Sequence, residues 1–220
     1  MKHIIKGAEP EEFTNWKNQA NENWTPTFEN LSGTEKRAVF EALQKEQGYI
    51  CCYCECELKD DHFHIEHHKP QHPKDIQEKI DPLDYSNMLC SCQRNIKKGV
   101  LRHCGNSKDQ WFDETQFISP LNPDCEKKFK FTLDGHIEPA NSKDSAATMT
   151  LEKLNLKNDK LNSWRNAAID PFLEESLSEK ELEDYVKGYL VEKKFNGGKY
   201  NEFFTTIKYL FGKEETQTAM

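Results

Sequence analysis

Apolar residues recur at helical spacing along much of this chain, so helices are expected to dominate its fold. Thr34 is a good N-terminal cap for the segment that follows it, and Gly48 is placed to end that helix. Further helices are predicted over residues 11–20, 145–154 and 159–168. Two more amphipathic helices are predicted in the last fifty residues, striped by Leu182, Val186, Tyr189 and Leu190 and by Phe203, Phe204, Ile207 and Leu210.

Strand-like alternation predicts a hairpin before the middle of the chain. Phe63 and Ile65 alternate with polar residues, as in a strand with one buried face, and Pro70 ends this pattern. Residues 84–89 are the predicted partner strand, and residues 71–83 would form the loop between the two strands.

A second, smaller hairpin is predicted around Asp134-Gly135, a two-residue signal for a type I′ turn. Residues 128–133 and 136–138 would be its strands. The whole pattern predicts an α+β fold that is mostly helical, with two small hairpins and flanking helices.

At 220 residues the chain is long enough to bury a sizeable core, although 31% of its residues are charged and only 35% are hydrophobic. We expect one compact unit with an N-terminal helical segment (1–50), a central core (51–112) and a C-terminal hairpin and helical region (113–220). The sequence has no apolar run of about 18 residues, and it begins without the apolar region of a signal peptide. These features predict a cytoplasmic protein without membrane spans.

The charge distribution is uneven. The net charge is −8, which is unfavourable for binding nucleic acid, because phosphate binding depends largely on Lys and Arg. Residues 67–108, however, contain eight Lys and Arg against four Asp and Glu. A locally basic region on an acidic body favours nucleic-acid binding there, with a partner that helps to hold the substrate.

Seven of the eight cysteines lie between positions 51 and 104. In a reducing compartment, grouped cysteines bind metal more often than they form disulfides. Cys51-x-x-Cys54 has the spacing of a zinc knuckle, and Cys92 and Cys104 would complete a tetrahedral structural zinc site. We call these four residues the cysteine quartet.

The cysteine pattern also leaves room for a redox motif and for additional metal ligands. A redox Cys-x-x-Cys motif competes with zinc binding, but such motifs follow a strand in a βαβ pattern that this sequence lacks. Cys52 and Cys56 complicate the count, and we expect them to pack against the site without binding the metal.

Between the cysteines lies a candidate catalytic cluster. His64 and Glu66 share the polar face of the first predicted strand, and His67 follows. A carboxylate can hold a hard cation while a neutral imidazole takes a proton from the attacking water, as metal-assisted phosphodiester hydrolysis requires. A histidine-rich surface turn without chemistry, or a non-catalytic zinc contact, is an equally open interpretation. Asn87 could hydrogen-bond across the hairpin and fix the loop that presents His67.

The segment between the last two quartet cysteines is basic. It contains Arg94, Lys97, Lys98 and Arg102 and no acid, and we call these four residues the basic loop. A basic loop tied at both ends to a metal could contact phosphates, although a solvated run of charge is the ordinary alternative. The phosphate contacts are predicted to come from Arg94, Lys97, Lys98 and Lys108.

The order of these motifs is specific as a set. The residues that carry it are Cys51-x-Tyr53-Cys54, Ile65-Glu66-His67 with Pro70, Asn87-Met88-Leu89 with Ser91-Cys92, and Cys104-Gly105 with Lys108. This order resembles an HNH (ββα-metal) nuclease finger. More closely, over roughly residues 34–170, the chain resembles PtuB, the HNH nuclease subunit of Septu-type and retron-associated anti-phage systems.

The resemblance implies a role for each motif. The cysteine quartet would hold a structural Zn²⁺. His67 would be the general base, Glu66 would bind a catalytic Mg²⁺ or Mn²⁺, and Asn87 would orient the catalytic loop. Asn106, in a short helix after the last quartet cysteine, would be the second metal ligand.

Two departures from the HNH pattern leave details open. Many HNH nucleases have His or Asn three residues before the helix lysine, where this chain has Gly105. Asn106, Asn95 and His103 therefore compete for the role of helix ligand. His68 occupies a position that is commonly aromatic, and it could share the metal or the base function.

The resulting prediction is a metal-dependent HNH endonuclease with DNA as the favoured substrate, acting in anti-phage defence. The resemblance implies an SMC/ABC-type ATPase partner, PtuA, phage or host nucleic acid as substrate, and a retron reverse transcriptase with its DNA–RNA product as a further partner. An RNA (tRNA) nuclease and a zinc finger that binds nucleic acid or protein without cutting are the alternatives. A cytosolic redox protein is disfavoured, because redox chemistry needs no acid–histidine pair.

Overall fold

A hairpin and a short helix, covered by the longest helix, form the centre of the molecule. The computed structural model describes residues 1–59, 62–71 and 80–213. The helices in these ranges are α1 (Glu11–Lys17), α2 (Gly33–Gln47), α3 (Gly105–Lys108), α4 (Ser145–Lys153), α5 (Asp159–Ile169), α6 (Glu179–Tyr189) and α7 (Phe204–Phe211). The strands are β1 (Phe63–His67), β2 (Met88–Cys92), β3 (Phe129–Phe131) and β4 (Ile137–Pro139). Short 3₁₀ turns cover Tyr85–Asn87, Cys125–Lys128, Asp170–Phe172 and Lys193–Phe195.

The predicted α+β, mostly helical character is confirmed. The helices predicted over residues 145–154 and 159–168 are α4 and α5, and their N-terminal caps are Asp144 and Asn158. Each cap accepts a hydrogen bond from a backbone amide in the first turn, which replaces an intrahelical partner that this amide lacks. α1 ends three residues earlier than predicted.

Helix α2 ends where the sequence predicts but begins earlier. Gly48 takes the left-handed conformation (φ 63°) that ends many helices, and glycine adopts it at little steric cost. The predicted cap, Thr34, lies inside the helix, and Ser32 precedes the first turn with extended backbone. Thr34 therefore cannot act as the cap, because a cap residue needs non-helical backbone.

The side chain of Gln47 connects α2 to β2. Its Oε1 accepts from the backbone amide of Cys90 at 2.6 Å, and its Nε2 donates to the Cys90 carbonyl at 2.9 Å. The same Nε2 also donates to the carbonyl of Ile50 at 2.9 Å. Because all three partners are backbone groups, this buried amide fixes the position of the hairpin on the helix.

Strands β1 and β2 pair antiparallel, with Phe63 opposite Cys92 and His67 opposite Met88. The partner strand was predicted over residues 84–89, and this start is wrong. Asp84 accepts from the backbone amide of Ser86 and caps the 3₁₀ turn, so the strand begins only at Met88. Of the predicted loop over residues 71–83, residues 72–79 lie outside the described part of the chain.

The second hairpin is present, but its turn differs from the prediction. A type I′ turn needs positive φ at both central residues, and only Gly135 of the Asp134-Gly135 pair has it (φ 84°). The loop is longer than two residues, since the amide of Gly135 donates to the Thr132 carbonyl at 3.0 Å. A Cβ on Gly135 would lie 2.3 Å from the carbonyl oxygen of Asn162 in α5, so this turn packs closely against that helix.

Residues of all three predicted segments share one main hydrophobic core, which includes Phe13, Leu43, Leu89, Phe129 and Leu161. A smaller cluster contains Ile169, Phe172, Val186 and Ile207 and joins the last two helices to α5. The predicted stripes of α6 and α7 therefore pack inside the chain. Among the helices of the described ranges, none combines the length and the apolar composition that crossing a membrane requires.

Candidate functional site

The cysteine quartet comes together at one end of the first hairpin. Cys51 and Cys54 lie in the tight turn after α2, Cys92 ends β2, and Cys104 immediately precedes α3. All four Sγ atoms lie within 4.8 Å of one another, and those of Cys54 and Cys92 are 3.7 Å apart. Two thiolates about 2.3 Å from one tetrahedral Zn²⁺ would be roughly 3.8 Å apart, so the quartet fits zinc.

The other cysteines lie outside this cluster. Cys52 and Cys56 are buried, as packing residues would be, and Cys90 and Cys125 are buried elsewhere in the core. Among the described residues, the group whose sulfur atoms lie close enough together for one metal ion contains Cys51, Cys54, Cys92 and Cys104, and Cys52 and Cys56 are not part of it.

Glu66 is a buried carboxylate with two differently engaged oxygens. Its Oε1 accepts from the Lys108 ammonium at 2.9 Å and from the Tyr53 hydroxyl at 3.1 Å. Its Oε2 faces Nε2 of His64 at 3.6 Å. Burial acts to raise the pKa of Glu66, but the contacts with His64 and Lys108 outweigh it and hold this pKa below its ordinary value. Glu66 is therefore ionised at neutral pH.

The predicted phosphate contact by Lys108 is wrong. Its side chain is only 1% exposed, and its ammonium bonds to Glu66 and, at 3.1 Å, to the backbone carbonyl of His67. Residues three apart on a helix share a face, and Gly105 and Lys108 of α3 both face β1. The lysine thus neutralises Glu66 and does not reach the surface.

The imidazole of His67 is held on both ring nitrogens. Nε2 lies 2.9 Å from the carbonyl oxygen of Pro82, and the side-chain amide nitrogen of Gln71 lies 3.2 Å from Nδ1 and 3.3 Å from Nε2. Because a carbonyl oxygen can only accept, the Pro82 contact assigns the tautomer in which Nε2 carries the proton and Nδ1 keeps its lone pair. Burial, partly under the ring of Phe28, lowers the pKa of His67, so the ring is neutral at pH 7.

Asn87 is bonded to the chain segment that follows His67. Its Oδ1 accepts from the amide of Lys69 at 2.8 Å, and its Nδ2 donates to the Lys69 carbonyl at 2.9 Å. Its own carbonyl accepts from the amide of His68 at 2.9 Å. Three bonds from one residue fix the backbone directly after the histidine.

The three candidates for a helix metal ligand contact groups other than Glu66 or are exposed. The Asn106 side chain donates to the carbonyl of Gln93 at 2.8 Å. Nδ1 of His103 lies 3.2 Å from Sγ of Cys104, beside the cysteine quartet. Asn95 is exposed in the turn after β2.

Gly105 is the helix residue that touches Glu66. A Cβ added to Gly105 would lie 2.3 Å from Oε2 of Glu66, so the backbone of α3 occupies the space that a side chain would need. The sequence could not indicate this contact, because glycine gives no chemical signal of its own.

His68 packs among aromatic rings. Its ring stacks on Phe117 with centroids 5.2 Å apart and meets the edge of Phe112 at 5.4 Å. Burial lowers its pKa to about 4. His68 thus takes the place of the aromatic residue that is common at this position, and its ring lies among the phenylalanines and not against Glu66.

The residues of the basic loop are all exposed. One of them, Arg94, also lines a surface groove of about 370 Å³ together with Lys36 and Arg37 of α2. Lys36 and Arg37 were missed by sequence reasoning, because only folding brings the start of α2 next to the end of β2.

No family model matches the chain. Two similar proteins are both named as HNH endonucleases of retrons. The first is "Retron Vc95 putative HNH endonuclease" of Vibrio cholerae serotype O1 biovar El Tor, 30% identical over 139 residues, which are 61% of this chain and 65% of that protein. The second is "Retron Ec83 putative HNH endonuclease" of Escherichia coli, 26% identical over 212 residues, which are 78% of this chain and 80% of that protein. The chain therefore spans slightly less than two thirds of the Vibrio protein. Both names agree with the HNH and retron parts of the resemblance, and neither contains PtuB or Septu.

Proposed function

We propose that this chain is a metal-dependent HNH endonuclease with its catalytic centre at the end of β1. The observation that carries the proposal is an ionised, buried Glu66 next to a neutral His67, with Asn87 fixing the backbone directly after the histidine. The hairpin β1–β2 and helix α3 would be the ββα-metal finger, with the cysteine quartet as its structural zinc site. The names of the two retron relatives support the same activity.

The proton-transfer step follows from the tautomer of His67. Nδ1 would accept a proton from the water whose oxygen attacks the scissile phosphorus, and the bond from phosphorus to the leaving oxygen would break. The Pro82 carbonyl, which accepts from Nε2, would stabilise the imidazolium that forms. Gln71 now donates to Nδ1 and would be displaced by the water.

The donors around Glu66 fit a hard cation. Within the described part of the chain, the contact of its Oε2 is the His64 imidazole, whereas Oε1 accepts from an ammonium and a hydroxyl. Carboxylate oxygens are the ligands that Mg²⁺ and Mn²⁺ prefer. When bound, such a cation would neutralise charge that develops on the phosphate oxygens. Glu66 would hold this cation, and Asn87 would fix the loop that follows His67.

The proposed substrate is nucleic acid, with DNA favoured and RNA, including tRNA, as the alternative. Arg94, Lys97 and Lys98 would contact phosphates, which position a substrate without reading its sequence. Because the chain carries a net charge of −8, it would bind a polyanion weakly by itself. An SMC/ABC-type ATPase like PtuA that holds both the nucleic acid and this chain would raise the local substrate concentration. A retron reverse transcriptase with its DNA–RNA product would belong to the same assembly.

A nuclease assay of purified protein tests this proposal. Wild type, His67→Ala and the matched control His62→Ala would be compared on duplex DNA and tRNA. The control changes an exposed histidine that immediately precedes β1. Each would be assayed alone and with the ATPase, with and without Mg²⁺ in metal-depleted buffer. We expect cleavage to need Mg²⁺ and to fall roughly 10²- to 10⁴-fold in His67→Ala only, the range that a general base contributes. Zinc content should be the same in all three proteins.

A zinc finger that binds nucleic acid without cutting is the second candidate. The Lys108 contact favours it, because this ion pair already gives Glu66 a structural partner. If zinc is bound but no substrate is cut in any combination, the binding module is the correct function and the nuclease proposal is wrong.

A further inference from the structure

We infer that His64 is the second protein ligand of the catalytic cation, in place of the helix side chain that the HNH pattern leads one to expect. The inference rests on the proposed function, and it names a residue of β1 for a role that three residues near α3 were expected to fill. None of those three is directed at Glu66 by the contacts described above.

The geometry of β1 brings the two donors together. His64 and Glu66 are two residues apart on one strand, so their side chains leave the same face. Nε2 of His64 and Oε2 of Glu66 are 3.6 Å apart. Two ligands in adjacent positions around one Mg²⁺ or Mn²⁺ are about 3 Å apart, so small side-chain adjustments would suffice.

The two oxygens of Glu66 are not equivalent. Oε1 accepts from Lys108 and Tyr53, whereas Oε2 faces the imidazole. The His64 side chain is 27% exposed and that of Glu66 is 9% exposed. A cation with its waters could therefore reach Oε2 from the side of His64, where the site opens to solvent.

Gly105 links this arrangement to the departure from the HNH pattern. A Cβ at position 105 would lie 2.3 Å from Oε2 of Glu66 and 3.1 Å from Nε2 of His64. A ligand from α3 and the imidazole from β1 would thus compete for one small volume. In this chain the helix residue has no side chain, and His64 fills the volume from the strand.

Electron spin resonance of bound Mn²⁺ tests the inference on the zinc-loaded full-length protein. Pulsed measurements detect the nitrogen of an imidazole that coordinates Mn²⁺. We expect this coupling in wild type and in the His62→Ala control, and its loss in His64→Ala. The affinity for Mn²⁺, measured by titration, should fall about tenfold or more in His64→Ala, at least as much as when a residue that only supports a metal ligand is lost.

A second variant keeps the test decisive if the alanine variant folds poorly. In His64→Gln an amide oxygen has a similar reach, so Mn²⁺ affinity should be partly retained while the nitrogen coupling disappears. Zinc content and circular dichroism verify the fold of each protein.

Three results would overturn the inference. Nitrogen coupling that persists in both His64 variants would mean that another imidazole binds the cation. Mn²⁺ that binds wild type through Glu66, as judged by Glu66→Gln, but without nitrogen coupling would make His64 only a hydrogen-bonding neighbour. Mg²⁺- and His67-dependent cleavage would still support the proposed function in either case. Wild type that binds no Mn²⁺ overturns the inference, and the nuclease assay then decides the proposed function separately.

Discussion

The two ends of one hairpin differ in how completely protein atoms surround them. At the end where Phe63 faces Cys92, which we call the closed end, four sulfur atoms converge. Three of the four cysteines are buried. Towards the other end, which we call the open end, lies Glu66, and His64 reaches the same carboxylate from two residues earlier on β1. Their two donor atoms are less enclosed, and solvent reaches the imidazole. Protein ligands fill every position of a structural metal site, whereas a catalytic site keeps positions open for water and substrate.

The two ends also differ in the cation that they suit. Soft thiolates select zinc, while a carboxylate oxygen with an imidazole suits a harder ion such as Mg²⁺ or Mn²⁺. Since β1 is only five residues long, one short strand borders both environments. Under the proposed function, one hairpin would keep a structural metal and a catalytic cation apart. The two sites would differ in the type of donor atom and in how completely protein atoms enclose them.

Removing one quartet ligand should have the largest effect. We expect Cys104→Ser to lose zinc and to unfold, because the binding energy of a structural Zn²⁺, on the order of 10–16 kcal/mol, is part of the folding free energy. Zinc content and thermal unfolding measure this. The control Cys125→Ser changes a buried cysteine outside the quartet and should keep its zinc. If Cys104→Ser keeps its full zinc content and melts at the same temperature as wild type, the quartet is not a structural zinc site.

Breaking the Lys108–Glu66 pair should have the next largest effect. Lys108→Met would leave a buried carboxylate unpaired, which costs about 3–5 kcal/mol of unfolding free energy. Lys97→Met, at an exposed lysine, should change stability by less than about 0.5 kcal/mol. Denaturant unfolding measures both variants.

Adding Mn²⁺ to Lys108→Met tests whether the unpaired Glu66 binds a cation. If Glu66 binds a cation, Mn²⁺ should restore part of the stability that Lys108→Met loses, and it should not do so in Lys108→Met with Glu66→Gln. An equal effect of Mn²⁺ on both proteins would mean that the open end holds no metal at Glu66.

The smallest predicted effect concerns His68, which packs next to the open end. Its folded pKa of about 4 lies below the ordinary value near 6.5, so the unfolded chain binds the proton more readily between these values. Its contribution to stability is therefore complete above pH 6.5 and is lost as the pH falls towards 4. A cation at Glu66 would lower this pKa further, so the sign is the same with metal bound.

The unfolding free energy at pH 7 and pH 5 measures the contribution of His68. Wild type should lose about 2 kcal/mol more than His68→Phe over this interval, since one pKa unit corresponds to about 1.4 kcal/mol. Phe fits the same aromatic neighbours, so this variant should fold normally. Equal losses in the two proteins would contradict the neutral, buried state of His68.

Local signals predicted much of the fold and the closed end of the hairpin. The conformational preference of Gly48 and the alternation of Phe63 and Ile65 act within a few residues of the element they define. The spacing of Cys51 and Cys54 works in the same way, because a tight turn by itself brings two thiolates to one metal. Helix and strand positions were predicted where such short-range causes dominate.

The open end depends on contacts that the sequence does not encode locally. Lys108 looks like a surface lysine until α3 places it against Glu66. The second strand was predicted to begin at residue 84 but begins at Met88, because the Asp84 side chain accepts from the Ser86 amide and stabilises a 3₁₀ turn over the residues between. The contact of Gly105 with Glu66 exists only once the helix and the strand have packed together.

The buried amide of Gln47 has a consequence beyond joining helix and hairpin. A two-stranded sheet has two free edges, and each can recruit a strand from another molecule. Gln47 offers Cys90 both an acceptor and a donor, as a neighbouring strand would, and Cys52 donates to the same carbonyl at 3.1 Å. The outer edge of β2 is thereby occupied at its midpoint by the chain's own groups. This protection against edge-to-edge aggregation comes from one helix side chain and one backbone amide.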